Sequence, residues 1–346
     1  WLGVKYSVFV NSGSSANLLT MTVLKMLYKK REIILPTLTW PSDVNSVIQN
    51  NFKPIFVDIN PKNLCMSDEE IIRKVNKNTL AVFITHIQGF NGLTSKLISY
   101  LKKKKVLLIE DVCESHGATF NNKKLGTFGK ISNFSFYYAH HMSTIEGGMI
   151  CTNDRKIYET IKIMRSHGML RESNDTIFKK KIIKKYPKLS SKFIFLYPTY
   201  NFRNNEVGAV IGLSQLKSLN KNNKKRKDNF KFFLKLLDKS KYRIDFQTKG
   251  SCNYAFPVIL KSTSLKFRNI FEETLLKKKI EFRRGSSGGG NQLRQPYLQK
   301  FVKYLSLNNF KQVDHIHFFG YYIGNYPSLS KSKIKKICNI LNDIKI

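Results

Sequence analysis

Short apolar runs alternate with amphipathic stretches through the first 150 residues. β-branched and aromatic residues dominate the short runs, which predict strands at Ser7–Val10, Glu32–Leu35, Pro54–Asp58, Leu80–Thr85, Val106–Glu110 and Asn133–Tyr137. Helical patterns separate them, each with serine or a nearby polar residue able to cap its first turn, at Ser15–Tyr28, Ser42–Gln49, Ser67–Val75 and Ser95–Lys103. This order predicts an α/β fold, a mainly parallel sheet with helices on both faces.

The second half has longer helical patterns and fewer strands. A helix is predicted at Arg155–Ser166, and a lysine-rich connector at Phe178–Lys192 is expected to be exposed and irregular. A helix from about Asn205 to Leu219 carries an apolar face of Val207, Val210, Ile211, Leu213 and Leu216. After Lys241 we expect strands at Tyr254–Ile259, Ile280–Arg283 and His315–Tyr321 and helices at Phe267–Lys277 and Lys331–Ile340. We therefore predict a large domain, residues 1–235, and a smaller C-terminal α/β domain, residues 236–346.

Length and cysteine content indicate a reduced globular protein. A chain of 346 residues can bury a core that needs no disulfide bonds. Its five cysteines are an odd number, are widely scattered and form no CxxC pair, so we expect a cytoplasmic protein without a zinc site or an iron–sulfur cluster. No apolar stretch approaches the roughly 20 residues of a membrane-spanning helix, and we predict neither a transmembrane segment nor a membrane partner.

The charge is strongly positive and raises the question of nucleic acid. Lys and Arg number 60 against 23 Asp and Glu, a formal net charge of +37. The lysines lie in dispersed clusters, however, and no zinc finger, RNP motif or basic zipper accompanies them. We therefore predict no nucleic-acid partner; the positive field would instead attract a small anionic ligand.

Two motifs point to a phosphorylated ligand. The turn Asn11-Ser12-Gly13-Ser14-Ser15-Ala16-Asn17 lies between a predicted strand and helix, where backbone amides and hydroxyls can hold a phosphate. Ordinary helix capping explains the same residues equally well. Asp111 ends an apolar strand, where side chains of open α/β sheets reach the ligand crevice, and it could pair with a protonated pyridine nitrogen or simply cap the next element.

The segment Phe134-Ser135-Phe136-Tyr137-Tyr138-Ala139-His140-His141 leads into a polar turn and the pair Gly147-Gly148. Two adjacent histidines are, by themselves, more often surface residues or core hydrogen-bond donors than catalytic bases. No metal-ligand spacing accompanies them, so zinc is not predicted.

The order of motifs along nearly the whole chain resembles the DegT/StrS family of fold-type I pyridoxal-phosphate (PLP) enzymes, which act on 4-keto nucleotide-sugars. The matching segments are SerGlySerSerAlaAsn, ThrTrpProSer, GluAsp…HisGlyAla, LeuGlyThrPheGly, PheSerPhe and GluGlyGlyMet. In the family pattern the fifth residue after the serine of PheSerPhe is the lysine that binds the cofactor covalently. Here that residue is His140, which resembles the branch of GDP-4-keto-6-deoxymannose 3-dehydratase, as does the segment from Gly288 to Pro296.

The resemblance implies roles for particular residues. Phosphate would be held by Ser14, Ser15 and Ser135, Trp40 would cover the pyridine ring and Asp111 would pair with its nitrogen. Glu114 stands near the cofactor hydroxyl where many family members have Gln. Asn201 matches a segment that reaches the cofactor phosphate of a neighbouring subunit, which implies a homodimer with shared sites. Core packing for Trp40 and a turn for Asn201 are the alternatives.

The implied reaction is C3 dehydration of a 4-keto-6-deoxy nucleotide-sugar, as in deoxysugar and lipopolysaccharide O-antigen biosynthesis. The cofactor would be PLP and its amine form (PMP), with glutamate as amino donor. His140 would be the base, because a neutral imidazole accepts protons near operating pH. An aminotransferase without lysine and a non-catalytic PLP-binding homologue are the alternatives. The family's N-terminal segment, which helps close the sugar site, is absent before Trp1, so we interpret the chain as N-terminally incomplete.

Overall fold

A seven-stranded sheet forms the centre of the computed structural model, which describes residues 1–345. The strands of the molecule are β1 Tyr6–Val10, β2 Glu32–Pro36, β3 Lys53–Val57, β4 Thr79–Thr85, β5 Leu107–Asp111, β6 Thr119–Phe120, β7 Lys123–Lys124, β8 Ile131–Ser135, β9 Gly148–Thr152, β10 Ala255–Ile259, β11 Arg283–Arg284 and β12 Gly320–Gly324. The large sheet has the order β1-β9-β8-β5-β4-β2-β3. Only β9 runs antiparallel to its neighbours, so the sheet is mainly parallel.

Helices cover both faces of this sheet. The helices of the described chain are α1 Gly13–Leu27, α2 Pro41–Gln49, α3 Asp68–Lys74, α4 Ser95–Lys104, α5 Arg155–Arg165, α6 Thr176–Lys185, α7 Glu206–Leu236, α8 Leu265–Lys277, α9 Gln299–Val302, α10 Lys311–Phe319 and α11 Lys331–Asn342. Successive strand residues enter opposite cores: Ile33 and Phe83 pack on one face, and Ile34 and Val82 on the other. Burial on both faces is the reason these strands are almost wholly apolar.

The predicted α/β class is confirmed, and most elements of the first half lie where the pattern placed them. The predicted strand Asn133–Tyr137 is displaced: β8 ends at Ser135, where the Tyr137 amide donates to the Ser135 hydroxyl. Strand β9 was not predicted. It begins in the Gly147-Gly148 pair, where a Cβ on Gly148 would lie 2.2 Å from the Ser12 carbonyl oxygen.

Three helices in the second half were not predicted correctly. The lysine-rich connector is exposed, but it contains helix α6. The helix expected to end at Leu219 continues to Leu236, because Lys and Arg favour helix and its last turns bury Phe230 and Phe233. The run His315–Tyr321 is not one strand: Val313, Ile316 and Phe319 are buried at helical spacing in α10, and β12 starts at Gly320.

A smaller three-stranded sheet, β10-β12-β11, lies in the C-terminal part of the chain. Of the predicted strand Ile280–Arg283, only Arg283 pairs with β12, together with Arg284. The domain boundary near residue 235 stays a prediction; helix α7 runs across it.

All five cysteines are free thiols. Among residues 1–345 we find no helix with the length and apolarity needed to cross a bilayer.

Candidate active site

The candidate site lies at the edge of the large sheet where β1, β2, β4, β5 and β8 have their carboxyl ends. Parallel strands bring these ends together, and ligands of open α/β sheets bind in the crevice outside them. The chain therefore gathers there the start of α1, the turn before Trp40, the end of β4 at Thr85, Asp111 and Ser135. These segments are far apart in sequence and meet only because the sheet aligns them.

The start of α1 faces the end of β8. The Ser12 hydroxyl caps the helix by accepting the Ser15 amide at 3.0 Å. A Cβ on Gly13 would lie 2.6 Å from the Ser135 Cβ, so only glycine allows this approach. Free amides of the first helical turn thus lie beside the hydroxyl-bearing residues Ser14, Ser15 and Ser135, an arrangement that suits a phosphate.

Asp111 is a buried carboxylate without a cationic partner. Its Oδ2 accepts from Asn17 Nδ2 at 2.9 Å and its Oδ1 from the Cys113 amide at 2.8 Å. No Lys, Arg or His of residues 1–345 forms an ion pair with it. A positively charged ring nitrogen would complete its surroundings, since a buried charge needs a partner.

Glu114 joins the large sheet to the C-terminal part of the chain. Its carboxylate accepts from the Gln88 amide at 2.7 Å and from the Ser287 hydroxyl at 2.6 Å. Burial raises the pKa of Glu114 to about 7. The side chain can therefore hold or release a proton near neutral pH.

His140 lies in the turn after β8, as predicted, and is half-buried. Its Nδ1 is buried without a hydrogen-bond partner, and its ring centroid is 6.3 Å from that of His116 and 5.8 Å from that of Tyr254. Burial lowers the pKa of His140 to about 4 and that of His116 to about 3. The imidazole of His140 is consequently neutral at pH 7, which is the form that a general base must have.

His141 has a different environment from its neighbour. It is buried, and its Nε2–H donates to the Cys252 carbonyl at 2.7 Å. Burial holds its pKa well below the ordinary value. This bond ties the turn after β8 to the chain before β10, which is a structural role.

Trp40 and Asn201 are both exposed in the single chain. Trp40 precedes α2 and has 57% of its surface accessible, so the ring is not a core residue and can cover a ligand. Asn201 accepts from Arg203 Nε at 3.1 Å, and the next residue, Phe202, accepts the Asn11 amide at 3.0 Å. Asn201 thus lies near Asn11, where the turn Asn11–Asn17 begins, and no contact within the described chain brings it to Ser14, Ser15 or Ser135.

A buried polar network behind Asp111 was not predicted. It consists of Asn17, Thr39, Asp43, Thr85 and Asn133. For Asn17, the only indication in the sequence was its place at the end of the SerGlySerSerAlaAsn motif. An acid in the first turn of a helix is usually an exposed partner of the helix dipole, and so the position of Asp43 did not suggest burial.

The residues gathered at this edge of the sheet fit PLP. Asp111 lacks a cation, Gly13 lets the start of α1 approach Ser135 so that amides and hydroxyls lie together, and Trp40 has an exposed aromatic side chain. By its spacing from Ser135, His140 stands where the family pattern has the lysine that binds the cofactor, and imidazole cannot form that bond. The residues present would therefore hold the cofactor without covalent attachment.

Comparison with known proteins agrees with this arrangement. The model of the DegT/DnrJ/EryC1/StrS aminotransferase family matches residues 1–342. GDP-4-keto-6-deoxy-D-mannose 3-dehydratase of Escherichia coli O55:H7 is 33% identical over 332 residues, which cover 94% of this chain and 84% of the relative. The solved structure of the E. coli enzyme with bound hydrated PLP has a TM-score of 0.88 at 31% identity, covering 98% of this chain and 88% of that one. A structure described as this dehydratase with a trapped PLP-glutamate geminal diamine has a TM-score of 0.87 at 30% identity, covering 98% and 89%.

Proposed function

Because the chain belongs to the DegT/DnrJ/EryC1/StrS aminotransferase family, we propose that it is a PLP/PMP-dependent 3-dehydratase of a 4-keto-6-deoxy nucleotide-sugar. The observation that carries this proposal is His140, a neutral and half-buried imidazole in the turn where a transaminating lysine would stand. The named dehydratases that this chain resembles over 94% or more of its length support it.

Each site residue has a part in the proposal. The bound cofactor supplies an amine that condenses with the sugar ketone and a ring that accepts electrons while the C3–O bond breaks. The start of α1 with Ser14, Ser15 and Ser135 binds the phosphate. Trp40 covers the ring, and Asp111 holds a proton on the ring nitrogen.

His140 moves the proton in this proposal. Its neutral imidazole takes a proton at the reacting carbon and delivers it to the departing C3 oxygen, which leaves as water. Such positioned acid–base groups typically contribute 10²- to 10⁴-fold to a rate, on the order of 3–5 kcal/mol. Glu114, whose pKa burial raises to about 7, can hold a proton near neutral pH.

Glutamate is the proposed amino donor that regenerates the amine form. The solved dehydratase with a trapped PLP-glutamate geminal diamine supports this choice. The scattered free cysteines provide no thiolate group for an iron–sulfur alternative among the described residues. Free thiols also favour the cytoplasm as the place of action.

The active form is, in our proposal, a homodimer. Helix α7 begins with an exposed apolar strip, Val207, Val210 and Leu213, which are 70%, 67% and 64% accessible. The same helix packs at Gly212 against Thr144 in the turn that carries His140. A second copy that covers this strip would lie beside the site, where its Asn201 could reach the cofactor phosphate.

The test follows the cofactor and the sugar in one sample. The purified chain with PLP is expected to show an aldehyde-form absorbance band that glutamate converts to the PMP band, followed by a 3-deoxy product when a 4-keto-6-deoxy nucleotide-sugar is added. His140→Asn should lower product formation by about 100-fold or more while PLP still binds. An aminated sugar would favour an aminotransferase, and PLP binding without product from any sugar would indicate a non-catalytic homologue.

A further inference from the structure

Two carboxyl groups are buried at the ring-nitrogen end of the proposed cofactor site, and the proposed function uses only Asp111. Asp43, in the first turn of α2, is completely buried. The side-chain amide of Asn17 joins the two acids, since Nδ2 donates to Asp43 Oδ1 at 2.5 Å and to Asp111 Oδ2 at 2.9 Å. Among residues 1–345, neither acid has an ion-pair partner.

The oxygens around Asp43 indicate where a proton lies. Asp43 Oδ2 is 2.5 Å from the Thr39 hydroxyl and 2.6 Å from the Thr85 hydroxyl, and the two hydroxyls are 2.8 Å apart. Three close oxygen pairs need three hydrogens, and each threonine hydroxyl provides one. A proton on Asp43 Oδ2 supplies the third and closes a ring of three hydrogen bonds.

The other oxygen of Asp43 is committed as an acceptor. Asn17 Oδ1 accepts from Asn133 Nδ2 at 2.8 Å, and Asn133 Oδ1 accepts from the Thr20 hydroxyl at 2.9 Å. These bonds orient the Asn17 amide so that its NH₂ group faces the two acids. Asp43 Oδ1 and Asp111 Oδ2 are therefore both acceptors, and Oδ2 is the oxygen of Asp43 left to carry the proton.

The charged surroundings favour the neutral form of Asp43. Burial, and next the negative charge of Asp111, raise the pKa of Asp43 well above its ordinary value. The other titratable groups that interact with it are Cys113 and Tyr297, whose own pKa values are raised by burial, so both are neutral. Nothing in the described surroundings supplies a positive charge that would favour ionisation.

We propose that Asp43 is a positioning residue that keeps a proton in the loaded protein, so that Asp111 carries the only carboxylate charge facing the cofactor ring nitrogen. The ring of hydrogen bonds also fixes Thr39, the residue before Trp40, and the Asp43 amide donates to the Trp40 carbonyl at 3.1 Å. One network thus orients both the carboxylate that would pair with the ring nitrogen and the backbone that carries Trp40. The ring nitrogen comes from the proposed function; the proton on Asp43 does not depend on it.

Infrared difference spectroscopy of the full chain at pH 7, wild type minus Asp43→Asn, tests the proton directly, because the Glu114 carboxyl, also partly protonated at this pH, contributes to both proteins and cancels. We expect the carbonyl-stretch band of a protonated, buried carboxyl in this difference both with and without PLP, and a shifted band when Thr85→Val, which opens the ring, takes the place of the wild type. Asp43→Asn should bind PLP within about threefold of the wild-type affinity, because a neutral amide replaces a neutral acid. Asp111→Asn, the matched control, should keep the band and bind PLP more weakly.

Other results would contradict either the proton on Asp43 or the proposed function. Absence of the band from the wild-type minus Asp43→Asn difference, or a band that Thr85→Val leaves in place, would contradict the proton on Asp43. A folded Asp43→Asn protein that loses about tenfold or more in PLP affinity, about 1.4 kcal/mol, would show that Asp43 acts as a charge. Failure of the wild type to bind PLP would instead contradict the proposed function, and the band is measurable without PLP.

Discussion

Burial decides the charge state of the individual side chains at this site. Glu114 and His140 are shifted in opposite directions, since removal from water disfavours the charged form of either group. The result is a carboxyl that can hold a proton near pH 7 and an imidazole that is unprotonated at the same pH. Such opposed shifts are typical of sites that perform acid–base chemistry.

Replacing Glu114 by Gln should change how stability depends on pH. The folded-state pKa of about 7 lies above the unfolded value of 4.5, so the folded protein binds the proton more tightly and loses that advantage as pH rises from 4.5 through 7. Without PLP, Glu114→Gln should therefore gain stability relative to wild type between pH 5 and pH 8, by up to roughly 3 kcal/mol. Urea unfolding at both pH values measures the difference, and an equal difference at both would contradict the assigned pKa.

The junction between α1 and β8 has a consequence for cofactor binding. Gly13 must be glycine because a Cβ would also meet the Cys113 Sγ at 3.1 Å. The helix start is thereby held against the strand end, and its free amides lie beside the hydroxyl of Ser135. The position of this one helix defines the proposed phosphate site.

Gly13→Ala should displace the start of α1 and weaken PLP binding by about tenfold, because overpacking at a rigid contact costs roughly 1–3 kcal/mol. Fluorescence titration with PLP measures the affinity, and thermal unfolding reports the stability. The matched control is Gly324→Ala in β12, where an added Cβ meets no atom within 4 Å. Equal PLP affinities for the two variants would exclude the proposed phosphate site.

Assembly is the property of the entire chain that bears most on the site. The exposed strip of Val207, Val210 and Leu213 and the exposed Trp40 lie on a molecule with a formal net charge of +37. Apolar residues clustered on an otherwise charged surface indicate an interface. A second copy would bury this strip and bring the partner's loop toward the pocket.

The double substitution Val210→Glu and Leu213→Glu should therefore give a monomer that has lost most of its activity. Burying two unpaired carboxylates in an interface costs several kcal/mol. This cost adds to the loss of the apolar contacts that Val210 and Leu213 would make. Analytical ultracentrifugation measures the oligomeric state. Leu276→Glu, on α8 and similarly exposed at 67%, is the control that should stay dimeric; a monomeric wild type would contradict the shared site.

Local sequence was sufficient for the order of strands and helices in the first 150 residues and for the motifs that identified the family. Their signals are short-range: the period of apolar positions, a serine at a helix start, a glycine beside a strand. His140 was recognisable in the same way, because its spacing from Ser135 marks the position of the missing lysine. Where short-range signals competed, as at His315–Tyr321, the core decided, because the buried Val313, Ile316 and Phe319 required a helix.

The tertiary structure alone determined which polar groups are buried together. Asn17, Asp43, Thr85 and Asp111 come from four separate elements, and their hydrogen bonds exist only because the sheet aligns those elements. The charge state of a side chain follows from its burial and from the groups that contact it. No local pattern could therefore show that Asp43 is neutral or that Glu114 has a pKa of about 7. The sequence by itself determined the fold class and the type of reaction, whereas the packing decided where each proton lies, since a pKa depends on surroundings that distant residues provide.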